Sequence, residues 1–175
     1  SMSGDGKTFI SMNLAAAYSN YGKRTLIIEF DLRNPKIADY MGLDRIKGLT
    51  SYLINDARLE EIIQKTSMKN LDVIPAGEVP PNPVELIASD NTKNMIEILQ
   101  TIYDYIIIDT PPLGLVTDSF LLMEHSDANI FVVRINHTSK NLFSNLTKDL
   151  QQKEIANVTI LINNDENKTQ SSYYD

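Results

Sequence analysis

Apolar residues along this chain fall into two rhythms that alternate from end to end. After Thr8 they recur at helical spacing (Phe9, Ile10, Leu14, Ala17, Tyr18), which predicts a helix that Gly22 stops. Thr25-Leu26-Ile27-Ile28-Glu29-Phe30 is a continuous apolar run of the kind buried on both sides of a parallel sheet, and Asp31–Pro35 breaks it. Short helices are predicted around Ile37–Met41, Leu49–Ile54 and Leu59–Gln64, followed by a strand over Leu71–Pro75. Gly77–Pro83 reads as a stiff turn, with Pro83 placed to open a helix over Val84–Ala88. A helix over Thr92–Thr101 then leads into a strand at Tyr105–Asp109. A helix near Asp118–Glu124, a strand at Asn129–Ile135, a helix at Lys140–Gln152 and a strand at Val158–Ile162 follow.

Strands alternating with helices require crossover connections. The expected fold is therefore α/β, a doubly wound and mostly parallel sheet with helices on both faces. Residues 1–162 read as one domain, and 163–175 as a polar, flexible tail without periodicity. The 175 residues suffice for a full core, and no apolar run approaches membrane-spanning length, so the piece is read as soluble. The absence of cysteine excludes a disulfide scaffold or a thiolate metal site and agrees with a reducing cytoplasm. A net charge of -7 argues against broad contact with nucleic acid or an acidic membrane surface.

The candidate chemistry lies at the start of the chain. Ser3-Gly4-Asp5-Gly6-Lys7-Thr8 has the composition of a phosphate-binding loop, and Phe9 begins the helix behind it. Two glycines allow a tight turn whose N–H groups face phosphate oxygens. Lys7 supplies a point charge, the Thr8 hydroxyl is a candidate Mg²⁺ ligand, and the helix start is an anion site. A strand is expected before such a loop, so the chain reads as a piece of a longer protein whose first strand would precede Ser1. Two apolar strands end in acids, at Glu29-Phe30-Asp31 and at Asp109. Ligands of open α/β sheets bind beyond the carboxyl ends of the strands, so Asp31 and Asp109 should converge on the loop. Glu29, Asp31 and Arg33 occupy alternate positions and would point to one side of an extended chain. Thr110-Pro111-Pro112 is either a coupling segment or a plain turn. His125 and His137 read as solvent-facing, Asn163-Asn164 as a turn rather than an adenine contact, and Lys23 and Arg24 as a solvated helix end.

Taken together, these motifs resemble the bacterial tyrosine kinases of polysaccharide export, a branch of the P-loop ATPases. The resemblance rests on Ser3–Thr8, Leu26–Pro35, Gly77–Leu86, Tyr103–Pro112 and the terminal pair Tyr173-Tyr174. The related partition and division-site ATPases carry an extra lysine where this chain has Met2. The kinases usually have Asp where this chain has Glu29, whose additional methylene moves the carboxylate by about 1.5 Å. More weight therefore falls on Asp31.

The resemblance implies transfer of a phosphoryl group from ATP to tyrosine, with Mg²⁺ held by Thr8, Asp109 and Asp31. Ser3 through Phe9 would cradle the nucleotide and Lys7 would neutralise developing charge. Asp31 is the candidate proton acceptor, while Arg33 is either a phosphate or neighbour-subunit contact or a surface ion pair. Tyr173 and Tyr174 are the implied phosphoacceptors. About eleven residues beyond the last strand reach roughly 36 Å at ~3.3 Å per residue, enough to enter a neighbouring copy. The implied partners are ATP and ADP, further copies of the chain, and a separate or fused membrane-embedded activator of polysaccharide synthesis at the cytoplasmic face of the inner membrane. No nucleic acid is expected. Two alternatives stay open: an ATPase switch of the partition type and a non-catalytic regulatory module.

Overall fold

The computed structural model describes residues 4–112, 118–123, 125–152, 155 and 157–164. The chain runs α1 (Lys7–Asn20), β1 (Thr25–Glu29), α2 (Ile37–Met41), α3 (Leu49–Leu53), α4 (Leu59–Ile62), β2 (Gln64–Lys65) and β3 (Leu71–Ile74). It continues through α5 (Pro83–Ile87), α6 (Asp90–Gln100), β4 (Tyr105–Asp109), α7 (Asp118–Met123), β5 (Asn129–Arg134), α8 (Lys140–Gln152) and β6 (Val158–Asn163). β1 is the middle of a four-stranded sheet of order β2-β3-β1-β4, parallel to both β3 and β4. Its uninterrupted apolar character follows from burial on both faces. Leu26, Ile28 and Phe30 join Leu49, Leu53, Ile74, Met95 and Leu99 on one face. Ile27 packs with Ala15, Ile37 and Val73 on the other, where the small Ala15 brings α1 close to the sheet. Each buried Leu or Ile contributes about 1.5–3 kcal/mol, so this double layer anchors the domain.

Two features depart from the sequence reading. The helix expected to reach Gln64 stops at Ile62, and Gln64–Lys65 pair antiparallel with Val73 and Asp72. Tertiary partners outweigh the local helical pattern there. The Gln64 amide bonds both the N–H and the carbonyl of Asp44, at 2.9 Å each, and Lys65 Nζ lies 2.7 Å from Asp72. The second departure is larger. β5 and β6 pair in parallel with each other but exchange no ladder bonds with β4 among the described residues. Between β4 and β5 lies a cleft of about 560 Å³, walled on one side by Tyr105–Thr110 and on the other by Asn129–Val132. The α1 residues Ile10, Leu14 and Tyr18 also line it, and the Tyr18 ring stacks on Tyr105 at 3.8 Å. Among the described residues no helix is long and apolar enough to cross a membrane.

Candidate active site

The carboxyl ends of β1 and β4 and the start of α1 meet at one edge of the sheet. Gly4 and Gly6 take φ of +87° and +94°, a conformation that glycine adopts without strain. Gly6 precedes the first turn of α1, which has no side-chain cap and no acid, so the helix start presents the positive end of its dipole. Lys7 follows at once. Its proton affinity is lowered mainly by burial, and the charges of Asp5, Asp109 and Asp31, in that order, act against that loss. The loop cation and the two acids singled out from sequence therefore share one electrostatic neighbourhood.

Asp109 is 1% exposed and accepts hydrogen bonds from two α1 hydroxyls, Thr8 Oγ1 to Oδ2 at 2.8 Å and Ser11 Oγ to Oδ1 at 3.0 Å. Burial pushes its pKa up to about 6, with the nearby Glu29 charge adding to the rise; Thr8, Ser11 and Lys7 oppose it. Ser11 was not singled out from sequence, although it follows Lys7 by one helical turn and so shares its face. Asp31 is half-buried and accepts the Asn34 N–H at 3.1 Å, closing a tight turn that leaves Arg33 exposed.

Glu29, the register partner of Asp109, is equally buried but differently engaged. Its Oε1 accepts the N–H groups of Lys36 and Ile37, and Oε2 accepts the Ala76 N–H at 3.2 Å. The longer side chain ties the start of α2 to the end of β3 instead of facing the loop.

The loop is also held from the far side. Arg134 Nη1 donates to the Gly4 carbonyl at 3.0 Å, and Asn163 Nδ2 to the Asp5 carbonyl at 2.8 Å. The fully buried Asp5 accepts the Thr138 hydroxyl at 3.0 Å, and His137 Nε2 lies 3.9 Å from its carboxylate. Sequence reading missed Arg134 and Thr138. Asn163, expected in a turn, closes β6, while His137 is exposed as expected, with its ring beside Asp5. No motif marks these residues, because only the crossover from β5 to β6 brings them to the loop. Phe9 is 67% exposed and turned from the core. Met2, Ser3, Tyr173 and Tyr174 lie outside the described residues.

A glycine loop opening a helix beside two acid-ended parallel strands defines the P-loop nucleotide-binding class, and a family profile described as an AAA domain matches residues 2–165. A tyrosine-protein kinase CpsD of Streptococcus agalactiae serotype III (strain NEM316) is 37% identical over 161 residues, covering 91% of this chain and 69% of that protein. The kinase domain of the Escherichia coli tyrosine kinase ETK superposes with a TM-score of 0.90 at 28% identity, over 99% of this chain and 68% of that one. The septum site-determining protein MinD of Pyrococcus horikoshii, complexed with Mg-ADP, gives a TM-score of 0.70 at 26% identity, over 90% of this chain and 64% of that one. The chain belongs to the bacterial tyrosine-protein kinases, and the partition-type reading is not favoured.

Proposed function

We propose that this kinase domain binds Mg-ATP at the Gly4–Thr8 loop and transfers the γ-phosphoryl group to Tyr173 or Tyr174 of a neighbouring copy. The observation that carries the reading is the meeting of Lys7, Thr8, Asp109 and Asp31 at the uncapped start of α1. The donor set suits Mg²⁺, a hard cation that takes a hydroxyl, one or two carboxylates and water. Thr8, Asp109 and Asp31 would hold the ion, which neutralises charge on the phosphate oxygens. Lys7 and the loop N–H groups supply fixed positive potential where negative charge develops. Asp31, half-buried at the mouth of the site, accepts the phenolic proton. Free Tyr titrates near 10 and Asp near 4, so that transfer comes late, as a loose transition state permits. Arg33, exposed two residues on, contacts phosphate or the neighbouring copy.

The same reading assigns the cleft between β4 and β5 to the strand expected before the loop, because both strand edges facing it lack ladder partners among the described residues. By its family, the domain acts with a membrane-embedded partner at the inner face of the membrane to regulate polysaccharide synthesis and export. Incubation with Mg-ATP followed by mass spectrometry of the tail tests the central step. Phosphate on Tyr173 or Tyr174 is expected. Hydrolysis of ATP with no phosphotyrosine on an intact tail would overturn the kinase reading in favour of a partition-type switch.

A further inference from the structure

We propose that Arg134 and Asn163 are positioning residues that aim the N–H groups of Asp5 and Gly6 at the phosphates; the inference rests on the nucleotide reading above. Each side chain donates to one loop carbonyl, Arg134 to Gly4 and Asn163 to Asp5. These carbonyls belong to consecutive peptide planes, whose N–H groups are those of Asp5 and Gly6. The described residues contain no cis peptide bond, so in both planes the N–H points opposite to its carbonyl. Holding the two carbonyls outward therefore turns two donors inward, toward the concave side of the loop.

The sheet explains how residues so far apart in sequence reach adjacent peptides. Arg134 and Asn163 are register partners at the carboxyl ends of β5 and β6, so their side chains leave the same face side by side. Parallel strands lie about 4.8 Å apart, and consecutive Cα atoms about 3.8 Å, a near match between the two donors and the two acceptors. Two further contacts fix the arrangement. The Thr138 hydroxyl holds the Asp5 carboxylate, and a Cβ on Gly6 would lie 2.4 Å from Asn163 Nδ2, leaving no room for a side chain there. Because β5 and β6 share no ladder with β4 among the described residues, these side-chain bonds set the loop against that half of the molecule.

The test is calorimetric titration of Mg-ADP into the full chain, with steady-state ATP kinetics in parallel. Asn163→Asp, which replaces the donor with a carboxylate facing a carbonyl, should weaken Mg-ADP at least about tenfold. Arg134→Met should weaken it several-fold, and Arg134→Lys, which keeps one donor, should restore most of the loss. In each variant KM for ATP should rise by more than kcat falls, with the ligand-free unfolding curve unchanged for the Arg134 pair. A merely structural role would lower stability without separating Lys from Met. Wild-type affinity retained by both Asn163→Asp and Arg134→Met would overturn the inference alone. A wild-type chain that binds no Mg-ADP would overturn the nucleotide reading and the inference with it. If Asn163→Asp does not fold, the comparison of Arg134→Lys with Arg134→Met decides the matter.

Discussion

The ends of β1 and β4 carry register-matched acids, Glu29 and Asp109, each 1% exposed, yet the two sites are built for different work. Glu29 is satisfied by three backbone N–H groups fixed by α2 and the β3 loop. Those donors cannot rotate away, so its lone pairs are committed to structure. Asp109 is satisfied by the hydroxyls of Thr8 and Ser11, which can turn and offer their own lone pairs to a cation. Burial alone does not distinguish the two acids; the kind of donor that meets each one does.

Substitutions at the two strand ends should therefore move stability and activity in different combinations. The largest effect is expected for Asp109→Asn and for Lys7→Met, each of which should abolish tyrosine phosphorylation as read by mass spectrometry. Asp109→Asn should nevertheless stabilise the ligand-free chain at neutral pH. An acid raised from 3.8 to about 6 holds its proton more tightly folded than unfolded, so stability from this group grows as pH falls through that window. Its ionised form costs up to about 3 kcal/mol at pH 7, at 1.36 kcal/mol per pH unit. Denaturant unfolding between pH 4 and 7.5 should show that dependence flattened in Asp109→Asn, and an unaltered profile would contradict the assignment.

Glu29→Ala should do the reverse, leaving three N–H groups without their acceptor and costing about 3 kcal/mol or more in unfolding experiments. Its remaining folded fraction should still bind Mg-ADP. Ser11→Ala removes one of two hydroxyl donors to Asp109, so a loss of about 1 kcal/mol and a few-fold fall in kcat/KM are expected. The smallest change should come from Asp104→Asn. This carboxylate is held below its usual range by hydrogen bonds from the Arg24 side chain and backbone, but it lies at the surface. Its replacement should shift the unfolding midpoint little and leave phosphorylation intact.

Much of this arrangement was legible in the residues themselves. Ile37–Met41, Lys140–Gln152 and Tyr105–Asp109 form as their patterns predict, because local periodicity and tertiary burial agree there. The family was readable from Ser3–Thr8, Leu26–Pro35 and Tyr103–Pro112, since a phosphate loop followed by acid-ended apolar strands is a local signature. Non-local features were not readable. The strand at Gln64–Lys65 exists through Asp44 and Asp72, and the engagement of Glu29 depends on a loop 47 residues away. The grip of Arg134 and Asn163 on the loop spans most of the chain and leaves no mark in either neighbourhood. Asx turns, helix faces and apolar strands are written locally; the choice of partner for a buried carboxylate is not.

The central claim is that Asp109 and the glycine loop hold one magnesium-bound nucleotide while Glu29 stands outside that shell. Its most direct test is the affinity for ADP with magnesium and with the metal chelated, in wild type, Asp109→Asn and Glu29→Gln. Magnesium should tighten ADP in the wild type and in folded Glu29→Gln, and should do little in Asp109→Asn. An undiminished magnesium effect in Asp109→Asn, or its loss in Glu29→Gln alone, would contradict the account.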